Sequence, residues 1–139
     1  MKKLLYIGAL SLLLLTACGD SPSTVEDIVE EYGDKQEIKS NDGIYSISIT
    51  DDKLHAGSKS SILKETKQLL AELSKIDDVK SVTVKWLGPT DDGLGNQSTG
   101  EILSIMFDGE TYKQVNWDNV DNVDIEAIAT GYKQHDALK

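Results

Sequence analysis

The chain has 139 residues and a formal net charge of −10, with 24 acidic residues against 14 basic ones. Every basic residue is a lysine, so the bidentate arginine contacts typical of phosphate recognition are missing, and the acidic balance opposes nucleic-acid binding. This length suits one domain with a modest core. The single cysteine, Cys18, excludes an internal disulfide, so the fold must be stabilised by packing.

The first eighteen residues have the composition of a secretory signal. Lys2 and Lys3 form a basic head, and the apolar run over 4–15 is too short to span a bilayer. The run ends in Leu15-Thr16-Ala17-Cys18, which resembles the lipobox of bacterial lipoproteins at all four positions. The resemblance implies cleavage before Cys18, a diacylglyceryl thioether on its sulfur and further acylation of the palmitate type. We therefore expect a lipid anchor on the extracytoplasmic face of the cell membrane.

Four segments are predicted along the chain. They are a signal peptide over 1–17, a lipidated cysteine with a flexible tether over 18–24, one α+β domain over 25–132 and a frayed tail over 133–139. Removal of the signal peptide also removes two lysines, which makes the exported domain more acidic and opposes its contact with anionic lipids. The domain is therefore expected to meet the membrane only through the lipid on Cys18.

The first half of the domain is predicted to hold two helices and one strand. A short helix over 25–32 is capped by Ser23 or Thr24, and a turn over 41–43 leads into a strand over 44–50, where apolar and hydroxyl side chains alternate. The strongest helix is predicted from about residue 60 to residue 76, because its apolar residues recur at steps of three and four.

The second half is predicted to add three strands, over 79–87, 101–107 and 110–117, and a short helix over 120–129. Asp108-Gly109 is predicted to be a two-residue hairpin turn. The order predicts an α+β fold with a roughly four-stranded, mostly antiparallel sheet, one long amphipathic helix packed on it and short helices at both ends. Cystatin-like and split-βαβ sheets both accommodate this order, and neither fixes a function.

The predicted hairpin register places apolar side chains on both faces of the sheet. One face would hold Leu103, Ile105, Phe107 and Tyr112. The other would hold Ile102, Met106, Val115 and Trp117. We expect this second face either to bind a partner, with Trp117 as the anchor, or to be sealed by the final helix through Ile125 and Ile128.

Two polar segments are candidate ligand sites. The glycine-rich segment from Gly88 to Gly100 is longer than an ordinary hairpin loop, which favours either a mobile connection or a partner-binding loop. Nucleotide binding is excluded there because Glu101 stands where a phosphate loop needs lysine. In the acidic stretch 118–124 the carboxylates recur every third residue, which favours helix capping over a calcium loop with its ligands two residues apart.

No catalytic constellation is visible. His55 and His135 lack partners at metal-ligand spacing, and the adjacent acid pairs lie at turns. The sequence therefore predicts no cofactor, no metal site and no catalytic residue, in a protein that is not an enzyme. The alternative is a small, hydrolase-like envelope enzyme with a site assembled from residues distant in sequence.

The combined prediction is a lipid-anchored binding module that contacts a protein or another component of the cell envelope. Phage superinfection-exclusion lipoproteins are similar in size, in cellular location and in having one acidic domain. That resemblance implies a role in excluding phage, through a partner that is neither nucleic acid nor nucleotide.

Overall fold

The computed structural model describes residues 23–138, so the lipobox and Cys18 lie outside the described residues. Over that range the chain forms an α+β fold around a five-stranded mixed sheet, in which the strands follow chain order. The strands are β1 (Lys35–Asn41), β2 (Ile44–Thr50), β3 (Ser81–Asp91), β4 (Gln97–Phe107) and β5 (Gly131–Gln134). The α-helices are α1 (Val25–Val29), α2 (Lys59–Leu73), α3 (Gly109–Gln114) and α4 (Ile125–Ile128). Short 3-10 helices cover Ala56–Ser58 and Trp117–Asn122.

The sheet combines two hairpins and one parallel pair. β1 and β2 are antiparallel around a turn in which Asp42 and Gly43 both have positive φ, 53° and 85°. β2 and β3 run parallel, and α2 makes the crossover that parallel neighbours require. β3–β4 and β4–β5 are antiparallel. The α+β class is confirmed, with one strand more than predicted and one parallel pairing.

Helix α2 packs on the sheet as its apolar spacing predicted. Its buried residues are Ile62, Thr66, Leu69, Leu70 and Leu73. The polar member of that stripe is satisfied: the Thr66 hydroxyl donates to the Ile62 carbonyl and accepts from Trp86 Nε1 at 2.9 Å. A buried indole N–H thereby gains the partner it needs inside an apolar core.

All the other described α-helices lie on the same side of the sheet as α2. Beyond α1, the Tyr32 hydroxyl donates to Glu72 Oε1. The Tyr112 hydroxyl of α3 donates to the Leu70 carbonyl of α2, and Glu126 of α4 forms an ion pair with Lys59 of α2 at 2.8 Å. That ion pair lowers the pKa of the Glu126 carboxyl. One face of the sheet therefore carries the whole helical layer.

The predicted strand over 110–117 is wrong. Asp108 has φ −72° and ψ 169°, and its carboxylate accepts from the Thr111 N–H at 2.8 Å, so it caps α3 instead of opening a hairpin turn. Aspartate is favoured both before glycine in turns and at helix N-caps, which is why the pattern was ambiguous. The position beside β4 belongs to β5.

The frayed tail predicted over 133–139 is also wrong for residues 133–138. β5 includes Lys133 and Gln134, and the Gln134 amide donates to the Leu138 carbonyl. Leu138 is only 2% exposed and belongs to the hydrophobic core. Ordered structure therefore continues past residue 132. None of the described helices combines the length and apolar character needed to cross a membrane.

Candidate binding surface

Trp117 is a core residue. It is 8% exposed, and its ring lies 5.5 Å from the Phe107 ring in a T-shaped arrangement and 5.2 Å from the Tyr112 ring. Its indole N–H donates to the Tyr112 carbonyl at 2.9 Å. Phe107 and Tyr112 were predicted on the opposite face, so the structure corrects the predicted division of faces. The cause is that residues 109–114 form α3 instead of a strand, so the segment that carries Tyr112 and Trp117 packs with the helices and not in the sheet.

The other three predicted partner-binding residues do not share one surface either. Ile102 is buried at the point where the β3–β4 register shifts: Trp86 pairs with Leu103 and Leu87 with Glu101, so Ile102 is the extra residue. Val115 is half-buried, in the short connection after α3. Met106 is 39% exposed and projects from the uncovered side of the sheet. The predicted seal by the final helix is wrong, because α4 packs in the helical layer with Ile125 buried and Ile128 38% exposed, and it does not cover the other face of the sheet.

The uncovered side of the sheet, here called the open face, is polar. Its positions alternate with the buried Ile47, Ile49, Val82, Val84 and Trp86 along β2 and β3. They are occupied by Ser46, Ser48, Thr83, Lys85, Ser104 and Met106. The expectation of a sheet apolar on both faces is therefore wrong, because the only large apolar side chain in this central set is Met106.

A shallow groove of about 360 Å³ crosses the centre of the open face. Its floor includes part of one row of directly paired residues, in which Lys85 lies opposite Ser104 and Ser104 opposite Lys133. Ser48 lies opposite Lys85 in the same row, just outside the groove lining. Neighbouring strands are spaced about 4.8 Å apart, so the backbones at Lys85 and Lys133 lie roughly 10 Å apart with Ser104 between them. Thr83 and Met106 line the groove beside this row.

The two groove lysines have no acidic partner among residues 23–138. The nearest acid in the row is Glu37, which is two strands away from Lys85 and already pairs with Lys39 at 3.2 Å. Neither Lys85 nor Lys133 takes part in an ion pair in the part of the chain that the structure describes. The groove lining thus contains two lysines and no carboxylate, and the nearest acid on the same face by register is Glu101, opposite Leu87.

The signal for this surface was partly present in the sequence. Alternation over 44–50 placed the hydroxyl side chains of that strand, Ser46 and Ser48 among them, on the face opposite its apolar side chains, as the structure has them. Lys133 was missed because β5 has four residues and little apolar content, so no period was visible.

The segment from Gly88 to Gly100 is mostly paired strand. The β3–β4 ladder continues to Asp91 opposite Gln97, which leaves only five residues between the strands. Asp92 organises them: its carboxylate accepts from the N–H groups of Leu94 and Asn96 and from the Asn96 amide, and this last bond contributes most to lowering the pKa of Asp92. Leu94 projects from this tip with 85% of its surface exposed.

The acidic stretch and the histidines serve local structure. Asp124 caps α4 by accepting from the Ala127 N–H, and residues 118–122 lie in a 3-10 helix. His55 and His135 each accept a backbone N–H two residues ahead, from Gly57 and Ala137. Across residues 23–138, no three His, Cys, Asp or Glu side chains converge in a way that would hold a metal ion.

Comparison with protein-family models, with curated proteins and with solved structures finds no match to this chain.

Proposed function

We propose that this chain is a lipid-anchored binding module on the extracytoplasmic side of the cell membrane, and that the open face holds its partner at the envelope. The observation that carries this proposal is the one-sided build of the domain. All the described helices pack on one face of the sheet, while the opposite face keeps a groove that no described segment covers. A protein whose task is binding needs an accessible, preformed surface of this kind.

The place where the described chain begins supports this arrangement. Ser23 lies beside the C-terminal end of α2, near Glu72 and Ile76, and therefore on the helical side of the sheet. Cys18 is five residues earlier, a distance that an extended chain spans in at most roughly 18 Å. This reach limits how far an anchor at Cys18 could lie from Ser23, and the groove is on the opposite face of the sheet from Ser23.

Within this class we propose a role of the superinfection-exclusion type, in which an anchored protein occupies an envelope component that an incoming phage needs. The lipobox, the size and the acidic single domain support it. Expression of the chain in a sensitive host is expected to lower the plating efficiency of phage. An unchanged plating efficiency would contradict the exclusion role, but it would not contradict the wider proposal that the chain is a binding module.

Lipid attachment is tested by Cys18→Ala. Because the chain has no other cysteine, this variant is expected to remain an unprocessed precursor without a lipid. Metabolic labelling with a radioactive fatty acid measures the result directly. Cys18→Ser serves as a second variant that keeps the side-chain size, and acyl label retained by either variant would contradict the anchor.

The binding surface is tested by Ser104→Trp, which fills the centre of the groove with a large side chain. The matched control is Ser61→Trp, which places the same residue on the exposed surface of α2. The full chain is purified in detergent, and its retention by isolated envelope material is measured for the wild type and both variants. Ser104→Trp is expected to lose most of its retention, whereas Ser61→Trp behaves as the wild type. Equal retention of the two variants, with unchanged melting temperatures, would refute the open face as the binding surface.

A further inference from the structure

We propose that the groove on the open face binds an acidic polysaccharide of the envelope, through the ammonium groups of Lys85 and Lys133 and the hydroxyl group of Ser104 between them. This inference deepens the proposed function and rests on it. It names the ligand class: a polymer that carries repeated carboxylate or phosphate groups on a hydroxylated backbone.

Charge is the first argument. The chain as a whole is acidic, with 24 acidic residues against 14 lysines. Lys85 and Lys133 instead lie in one row, separated by a serine, and form no ion pair among the described residues. Two like charges this close repel each other, and an anionic ligand relieves that repulsion. The groove therefore complements negative charge, while the rest of the surface repels it.

The available polar groups are the second argument. β3 and β4 are paired on both sides at this position, so their backbone groups are used by the sheet and a partner strand cannot be added in the groove. Recognition must come from side chains. Ser46, Thr83 and Ser104 supply hydroxyl groups that both donate and accept, which matches the hydroxyls of a sugar chain.

The composition of the groove separates this ligand from other anionic partners. Protein interfaces are enriched in aromatic residues, methionine and arginine at their centres and depleted in lysine and serine. Hydroxyl and lysine side chains make up most of the groove lining, with Met106 and Tyr132 as its two residues of the enriched types. Single-stranded nucleic acids are held by stacking on aromatic rings, and none of the open-face positions in the central rows is aromatic. Lysine is a flexible, hydrated point charge, which suits a repeating polymer that needs no fixed bidentate geometry.

The position of the groove separates the polymer from lipid headgroups. Ser23, the point where the chain enters the described domain, lies on the helical side of the sheet. The open face is on the other side of the sheet from this entry point. Anionic lipid is the alternative source of negative charge, and the experiment includes it.

The test uses the full chain purified in detergent and polygalacturonate as the probe, with neutral dextran as the uncharged control. The test variant is the double substitution Lys85→Gln with Lys133→Gln. Its matched control, called the α2 variant, is Lys64→Gln with Lys75→Gln, which removes the same charge from one exposed position in α2 and one just past its C-terminal end. Since a lysine beside an anionic surface typically contributes enough binding energy for a several-fold gain in affinity, the groove variant is expected to bind polygalacturonate about 30-fold more weakly. The α2 variant is expected to bind like the wild type, and dextran is not expected to bind.

Lys85→Arg with Lys133→Arg is expected to restore most of the affinity, and binding of the wild type is expected to weaken steeply with added salt, as for other polyanions. Three results would overturn the inference: no binding of polygalacturonate, equal weakening by the groove and α2 variants, or preferential binding to vesicles of anionic over neutral lipid. Loss of envelope retention in Ser104→Trp together with any of these results would leave the open face as a binding surface and reject only the ligand class.

Discussion

Trp117→Ala is expected to lower the free energy of unfolding by about 3–5 kcal/mol, the range typical of removing a large aromatic side chain from a core. The Trp117 ring packs against Phe107 and Tyr112, and its N–H donates a hydrogen bond to the Tyr112 carbonyl. The substitution therefore leaves a cavity and removes the donor for that carbonyl. Urea denaturation of the full chain in detergent measures the change. The same variant is expected to retain envelope material normally at a temperature where it stays folded.

The control for Trp117→Ala is Leu94→Ala at the tip of the β3–β4 hairpin. Leu94 is 85% exposed, so its removal is expected to change the free energy of unfolding by less than about 0.5 kcal/mol. If Trp117→Ala instead leaves the urea midpoint unchanged and abolishes retention, the tryptophan is an interface anchor and its assignment to the core is wrong.

Leu69→Ala and Leu73→Ala are each expected to lower the free energy of unfolding by about 2–5 kcal/mol. Both side chains belong to the buried stripe of α2, the helix that covers most of the sheet, and both are fully buried. Truncation leaves a cavity between helix and strands that the surrounding core cannot close completely. Urea midpoints, with the slope of the transition checked for each variant, give the change.

Gln68→Ala is the matched control for these two leucines, because residue 68 is next to Leu69 in the same helix but is exposed. Alanine is also a good helix former, so this control tests helix propensity separately from burial. Losses below about 1 kcal/mol for both leucine variants would mean that α2 does not bury this stripe on the sheet.

Periodicity in the sequence predicted the elements that bury a regular stripe. β2 was predicted at its observed bounds, and α2 was predicted because its buried residues recur every three or four positions. In both segments one face is apolar and the other polar, so burial itself produces the pattern. The cap of α1 was predicted as Ser23 or Thr24, and the structure has Thr24: its hydroxyl accepts from the Asp27 N–H, while the Asp27 carboxylate accepts from the Thr24 N–H.

The two strands that were missed lie at the edges of the sheet. β1 contains one apolar residue, Ile38, and exposes most of its other side chains. β5 has four residues and depends on Tyr132 packing beside Ile105. An edge strand buries little, so tertiary pairing rather than its own composition determines its conformation. These omissions hid the groove, because Lys133 enters the row beside Ser104 only when β5 is in place.

The segment after β4 was misassigned because two local signals compete there. Asp108-Gly109 is typical of a hairpin turn, and the alternation that follows fits a strand. The capping bond from the Thr111 N–H to Asp108 and the packing of Tyr112 under α2 favour the helix. Only the tertiary contact between Tyr112 and Leu70 distinguishes the two outcomes, and a single sequence does not contain it.

The parallel pairing of β2 with β3 also has a consequence for how the chain folds. The β1–β2 and β3–β4 hairpins are built from neighbouring residues, so each can form with little loss of chain entropy. Joining them brings Ile44 beside Ser81 across the whole of α2, which requires closing a long loop before any of the parallel contacts form. We therefore expect the docking of α2 to be the step that unites two locally formed halves and to limit the rate at which the open face forms as one continuous surface.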